Sequence, residues 1–207
     1  MKVVAFNGSP HPNGTTAMGI SVMANALARE GIETELVQVG GKQIHGCIGC
    51  MECSRQKVSC VLQDGDIIAW AHEKIDEAYG VILASPVYYG GIAGSFKSFL
   101  DRLFFSSPGF SYKVGATVTS LRRSGGISVF HQLNNYFNLA QMIVTPGIYW
   151  DVIHGNSGEE AKQDLEGMQI LETQGKNMAW LLKALLTGTR DWPAPPPVER
   201  KWTNFIR

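Results

Sequence analysis

The chain has 207 residues, of which 44% are hydrophobic, and its 18 basic side chains balance its 18 acidic ones. This length predicts one domain with a complete core, while the balanced charge excludes a basic surface for nucleic acid or for an anionic membrane. No apolar run approaches the ~20 residues of a membrane helix, and the first residues carry no signal-peptide pattern. We therefore expect a soluble, cytoplasmic protein.

Apolar stretches and helical stretches alternate along residues 1–207. Predicted strands lie at residues 3–6, 32–39, 81–84, 114–120 and 142–145, and predicted helices at residues 15–30, 66–78, 94–105, 127–140 and 158–186. This alternation is typical of a single α/β domain with a doubly wound, five-stranded parallel sheet. We expect the last helix to break near Gly167 or Gly175. Trp192 and Trp202 are expected to anchor the proline-rich tail, residues 191–207, to the surface.

A polar loop, residues 7–16, joins the first predicted strand to the first predicted helix. Free amides at a helix start, together with the helix dipole, bind anions, and the glycines let the backbone curl around a ligand. The candidate phosphate-binding residues are Ser9, His11, Asn13, Gly14, Thr15 and Thr16. The alternative is an ordinary strand–helix turn capped by Thr15 or Asn13.

Two further loops follow the third and fourth predicted strands, and ligands of such sheets bind beyond the carboxyl ends of the strands. The first of them offers apolar and aromatic surface to a planar ring, at Pro86, Val87, Tyr88, Tyr89 and Gly90. The second offers hydroxyl, guanidinium and amide groups to a ring that becomes anionic, at Ser120, Arg123, Gly125 and Gly126. Simple loop packing would explain each set alone. Together, the three loops predict a phosphorylated aromatic ligand.

All four cysteines lie in one short segment, residues 44–62, at Cys47, Cys50, Cys53 and Cys60. Cysteines of a cytoplasmic protein are expected to be reduced, which favours metal or redox chemistry over disulfides. The two-residue spacings would let four thiolates converge on a [4Fe–4S] cluster. Structural zinc also takes four thiolates, although its usual pattern is two separated pairs. A cysteine segment that holds no metal is the third interpretation, and all three remain open.

These motifs in combination resemble the flavodoxin-like family of NAD(P)H-dependent FMN reductases and iron–sulfur flavoproteins. The first loop is similar to the family's Gly-Ser-Pro-Arg-x-x-Gly-x-Thr, with His11 in place of the arginine. A second match runs from Ser85 to Arg102, including Lys97 and Asp101. An Arg-x-Gly-Gly turn ending at Gly126 is the third. The resemblance covers nearly the whole chain and implies the strand order 2-1-3-4-5.

The resemblance also implies the cofactor and the reaction. FMN would place its phosphate in residues 7–16 and its ring against residues 86–90 and 123–126. We expect an enzyme that takes hydride from NAD(P)H and passes electrons to a flavin, a quinone or a protein acceptor. The cofactor carries this chemistry, so no catalytic side chain is predicted. One alternative is an iron–sulfur flavoprotein that only carries electrons to or from a ferredoxin-like partner. Another is a binding module for a different phosphorylated ligand.

A homodimer or homotetramer is expected, because a small α/β domain leaves one face of a bound flavin open. The segment 103–105, which is largely aromatic, is predicted to contact a neighbouring chain together with Phe110 and Tyr112. The alternative is that they pack within the monomer.

Overall fold

The centre of the sheet consists of β1 (Lys2–Asn7), β3 (Gly80–Tyr88) and β5 (Val114–Leu121), whose residues are almost entirely buried. The computed structural model describes residues 1–62, 67–199, 201, 203 and 205. In it, β2 (Glu33–Gln38) and β6 (Ile143–Val144) complete a parallel path in the order β2-β1-β3-β5-β6. Counted along this path alone, the order is 2-1-3-4-5, which confirms the predicted doubly wound sheet.

Two short strands extend the sheet at its carboxyl edge, and the sequence pattern did not predict them. The first, β4 (Gly91–Ile92), turns back antiparallel onto the end of β3. The second, β7 (Val152–His154), pairs in parallel with the end of β5. Strands of two or three residues are too short to show a hydrophobic period. The pairing of β7 brings residues 152–154 beside the loop that follows β5.

Helices cover both faces of the sheet. One face packs against α1 (Thr15–Arg29) and α7 (Leu165–Gly188), and the other packs against α3 (Ile67–Asp76), α4 (Gly94–Phe105) and α5 (Gly126–Leu139). Two further helices are short, α2 (Glu52–Gln56) and α6 (Gly158–Ala161), and α2 was not predicted. The predicted start of α3 at Asp66 lies outside the described residues. Among the helices that the structure describes, none has the length and apolarity needed to cross a membrane.

The last predicted helix is in two pieces, as expected, but the break does not lie at Gly167 or Gly175. The chain instead breaks between α6 and α7, where the Asp164 carboxylate accepts a hydrogen bond from the Gly167 amide at 3.0 Å. Gly175 lies inside α7, where the helix passes close to α1. A Cβ at this position would come within 2.8 Å of the Ala26 Cβ and 2.9 Å of a carbonyl oxygen of α1. This glycine therefore marks close contact between two helices rather than the end of one.

A buried carboxyl group joins α7 to the sheet. Asp151 is only 2% exposed, and its Oδ2 accepts hydrogen bonds from the Thr117 hydroxyl at 2.8 Å and the Gln174 amide at 2.6 Å. Its Oδ1 has no hydrogen-bond partner among the described residues. Burial raises the pKa of Asp151 to about 7, although the hydrogen bonds from Thr117 and Gln174 act to lower it. Desolvation of the charged form therefore outweighs the two donors.

Two predictions about surface packing are corrected. Trp192 is 81% exposed and does not anchor the tail, and Trp202 lies outside the described residues. Of the aromatic segment predicted to meet a neighbouring chain, Leu103 and Phe110 are buried in the core of this chain. Phe105 is half exposed. Burial of Leu103 follows from the helical period of α4, which turns it towards the sheet. Phe110 lies after α4 and packs edge-on against Phe104.

Candidate functional site

The loop between β1 and α1 is held by a chain of side-chain hydrogen bonds. The Ser9 amide donates to Asn7 Oδ1 at 3.0 Å, and Asn7 Nδ2 donates to Gln38 Oε1 at 2.8 Å. Gln38 Nε2 in turn donates to the Ser9 carbonyl at 2.7 Å. Ser9 Oγ accepts from the His11 amide at 3.1 Å, which leaves its hydroxyl hydrogen available. The loop therefore has a fixed shape before any ligand binds.

The start of α1 is open. Its N-cap is Gly14, so neither Thr15 nor Asn13 caps the helix, and that alternative is wrong. Within the described part of the chain, the amides of Thr15, Thr16 and Ala17 have no hydrogen-bond acceptor. Such amides, reinforced by the helix dipole, attract an anion.

Two threonines at this helix start have different tasks. The Thr15 hydroxyl shares its hydrogen between the carbonyl oxygens of Gly155 at 3.0 Å and Ser157 at 3.1 Å, so it fastens the loop after β7. The Thr16 hydroxyl lies 2.6 Å from the Ser120 hydroxyl at the end of β5. The Thr16–Ser120 pair therefore joins the first and third predicted loops. The remaining candidates, His11 and Asn13, are exposed.

The loops after β3 and β5 lie against each other. Gly125 has a left-handed backbone (φ 91°), and a Cβ on it would come within 3.0 Å of Val87 Cγ1. Tyr89 also has a positive φ, of 50°, at the turn between β3 and β4, and its side chain is fully exposed. Tyr88 is about half exposed, and so is available to a ring placed on this edge. Arg123 is exposed next to the start of α5.

A cleft of about 320 Å³ lies beside β7, between the starts of α5 and α7. Three of the predicted ring-binding residues line it, namely Arg123, Gly125 and Gly126. Its walls also include four residues that the sequence did not suggest, namely Tyr149, Trp150, His154 and Asp164. His154 Nδ1 lies 3.0 Å from Asp164 Oδ2. Burial acts to raise the pKa of Asp164, but hydrogen bonds from Gly167 and His154 outweigh it and lower the pKa. Because β7 was not predicted, no sequence signal connected this cleft with the loop after β5.

All four cysteines line one small cavity of about 20 Å³, which is room for little more than one water molecule. Left-handed backbone at Gly49, Met51 and Lys57 turns the segment back on itself. Among the described residues, no group of three or more His, Cys, Asp or Glu is placed so that it could hold a metal ion. Burial raises the pKa of Cys53, and the neighbouring Cys60 and Cys50 add to the effect. The donor chemistry fits a cluster or zinc, but the segment would have to widen to hold either.

A buried arginine of α4 borders the same cavity. Arg102 is 1% exposed, and its Nε donates to Cys60 Sγ at 3.2 Å. Its two terminal nitrogens donate to the carbonyl oxygens of His45, at 3.4 Å, and Leu62. The sequence marked this residue only as part of a motif, because nothing in the pattern showed that α4 would lie under the cysteine segment.

The sheet order, and the open helix start at its carboxyl edge, define a flavodoxin-like protein. Solved structures agree on the fold. RosB, solved with 8-demethyl-8-formylriboflavin-5'-phosphate, is 18% identical with a TM-score of 0.68, covering 100% of this chain and 93% of its own. A flavodoxin from the domain Archaea is 16% identical with a TM-score of 0.59, covering 88% of this chain and 99% of its own.

The chain belongs to the NADPH-dependent FMN reductase family, whose model matches residues 1–157. It is therefore a flavoprotein oxidoreductase of the FMN-using class. An iron–sulfur flavoprotein of Methanocaldococcus jannaschii is 34% identical over 194 residues, covering 89% of this chain and 99% of the relative. One from Methanosarcina thermophila is 27% identical over 202 residues, covering 92% of this chain and 100% of the relative.

Proposed function

We propose that this protein takes hydride from NAD(P)H onto FMN and passes the electrons to a flavin, a quinone or a protein acceptor. The observation that carries the proposal is the open start of α1, joined through the Thr16–Ser120 hydroxyl pair to the end of β5. An anion and an attached ring on this edge would meet donors from both loops. The family to which the chain belongs supports the same cofactor.

The phosphate would be held mainly by neutral donors. The amides of Thr15, Thr16 and Ala17 and the hydroxyls of Ser9 and Thr16 are candidates, with His11, Asn13 and Gly14 around them. Hydrogen bonds to a charged group contribute about 1.5–3 kcal/mol each. Four or five of them, with burial of the ring, reach the roughly 8–12 kcal/mol of a micromolar to nanomolar ligand. The loss of the family's arginine at position 11 is therefore compatible with FMN binding.

The ring would lie between the loops after β3 and β5. Pro86, Val87, Tyr88, Tyr89 and Gly90 supply its apolar and aromatic surroundings. Ser120, Arg123, Gly125 and Gly126 lie on the other side, where the Arg123 guanidinium and the glycine amides would stabilise negative charge on the reduced ring. Bound FMN supplies the hydride and electron transfer itself. The side chains bind and orient it, and no catalytic residue is assigned.

An electron carrier is the second candidate. The relatives are named iron–sulfur flavoproteins, and in this chain Cys47, Cys50, Cys53 and Cys60 all line one cavity. A [4Fe–4S] cluster on these thiolates would exchange single electrons with a ferredoxin-like partner. Zinc, or no metal, are the other interpretations of the cysteine segment. Iron and sulfide analysis of protein purified without oxygen separates the three.

The decisive experiment compares electron donors on protein loaded with FMN. We expect steady-state oxidation of NADH or NADPH when free FMN or a quinone is added. Negligible turnover with both nicotinamides, together with fast reduction by ferredoxin, would favour the carrier and contradict the reductase. Protein that takes up no FMN on titration would contradict both.

A homodimer or homotetramer remains part of the proposal. Gel filtration at micromolar concentration tests it, and elution as a single chain would remove it.

A further inference from the structure

We infer that Arg102 positions the cysteine segment and supplies a cationic hydrogen bond to one of its four sulfurs, Cys60. The inference rests partly on the proposed function, because it concerns the same candidate metal site. It concerns a residue outside the cysteines themselves, however, and part of it can be tested when no metal is bound.

The first step is geometric. Arg102 lies on α4, which is fixed in the core, and its guanidinium is 1% exposed. It donates to the carbonyl oxygens of His45 and Leu62, which flank the four cysteines on either side. One planar group therefore ties both ends of the segment to the domain. A guanidinium presents several donors in fixed directions, which a lysine ammonium does not.

The second step is that the segment has little regular secondary structure of its own. Its only helix among the described residues is α2, which spans Glu52–Gln56 and buries none of its side chains. Met51 and Lys57 on either side of α2 are in the left-handed region, which costs energy for residues other than glycine. A second contact comes from α3, where His72 Nδ1 lies 3.2 Å from the Ser59 hydroxyl. Ile44 and Cys60 also pack against the hydrophobic core. The segment is thus placed by contacts with the rest of the domain, among them those of Arg102 and His72, rather than by local structure.

The third step concerns the sulfur. Arg102 Nε donates to Cys60 Sγ at 3.2 Å, so this sulfur receives a hydrogen bond from a cation. Hydrogen bonds to cysteine sulfurs and nearby charge help to set the reduction potential of an iron–sulfur cluster. Positive charge stabilises the more negative, reduced state. Arg102 would therefore raise the potential of a cluster bound there.

The test measures each thiol separately. Full-length protein is treated with chelator and reductant, and iodoacetamide alkylation of each cysteine is followed by mass spectrometry. Rates are compared on their high-pH plateau, where only the reactivity and accessibility of each thiolate count. There we expect Cys60 to react about tenfold faster in Arg102→Gln, because its sulfur loses a cationic hydrogen bond and the segment loses its ties to α4. Arg102→Lys should give an intermediate rate. A lysine keeps the positive charge, but it lacks the planar guanidinium that reaches both carbonyl oxygens. Cys47, which is already exposed, should keep its rate in both variants.

Arg55→Gln is the matched control. Arg55 belongs to the same segment and donates to the Cys50 carbonyl, but its side chain is exposed and it should leave Cys60 unchanged. Circular dichroism checks that the variants remain folded. An unchanged Cys60 rate in both Arg102 variants, or equal acceleration of all four cysteines, would overturn the inference.

Protein that is isolated with iron allows a second measurement. A redox titration followed by electron paramagnetic resonance should give a lower cluster potential for Arg102→Gln than for Arg102→Lys or the parent. Equal potentials for all three would overturn the electrostatic part of the inference. Parent protein that binds no iron would contradict the proposed cluster, whereas the alkylation rates would still decide the role of Arg102.

Discussion

Replacing Asp151 with asparagine should change how stability depends on pH. The pKa of Asp151 is raised from 3.8 to about 7 in the folded protein, mainly by burial. In the unfolded chain the carboxyl group loses its proton near pH 4. Between pH 4 and pH 7 the folded state therefore binds more protons than the unfolded state. The contribution of Asp151 to stability is greatest below this window, falls as the pH rises through it, and stays constant above it.

The size of the effect follows from the shift. A pKa difference of about 3 units corresponds to about 4 kcal/mol at 1.36 kcal/mol per unit. The introduced asparagine carries no charge, and its side-chain oxygen can still accept hydrogen bonds from Thr117 and Gln174. We expect the Asp151→Asn variant to exceed the parent by about 1 kcal/mol at pH 4.5 and by about 4 kcal/mol at pH 8.

Urea unfolding at pH 4.5, 6, 7 and 8, followed by circular dichroism, measures this difference. Asp191→Asn is the matched control, because Asp191 is exposed and its substitution should leave the pH profile unchanged. Parallel profiles for the parent and Asp151→Asn between pH 4.5 and pH 8 would refute the reasoning. They would show that the carboxyl group is not protonated in the folded protein.

Three further predictions test the site and the fold. Thr16→Val should weaken FMN binding about tenfold or more in a fluorescence titration, whereas His11→Ala should weaken it less than about threefold, and the reverse order would contradict the phosphate assignment. Gly175→Ala should destabilise the protein by about 1–3 kcal/mol in urea unfolding, since its Cβ would meet α1, while Gly188→Ala, which meets nothing within 4 Å, should not. Asp164→Ala should cost about 1–2 kcal/mol through loss of the α7 cap, and unchanged stability would count against that role.

The sequence was informative where an element was long and periodic. The central strands are mostly apolar and almost entirely buried. Apolar residues of the helices between them recur every three or four residues, so the sheet order followed from this alternation and from the resemblance. The position of the loops at one edge was predictable for the same reason. The roles of individual hydrogen-bond donors in these loops were not predictable from the sequence. Thr15 and Thr16 are adjacent and chemically identical, yet one fastens a distant loop and the other meets Ser120.

The missed features depend on contacts between distant parts of the chain. β7 has three residues, and only its pairing with β5 creates the cleft that Tyr149 and Trp150 line. A glycine in α7 was expected to mark a helix end because glycine has a low helix propensity. Gly175 is instead a glycine because α1 lies too close to leave room for a side chain. Trp192 was expected to anchor the proline-rich tail, but it is 81% exposed, and nothing in the sequence showed this.

The hydrogen bonds at the start of α1 also bear on how the protein folds. Thr16 meets a partner 104 residues further along the chain, and Thr15 meets partners 140 and 142 residues further along. Contacts of such sequence separation form slowly, because closing a long loop costs entropy before the contact repays it. The ribosome must therefore release most of the chain before the anion site can take its final shape. Nascent chains that end before Gly155 would carry the glycine-rich loop without the partners of Thr15.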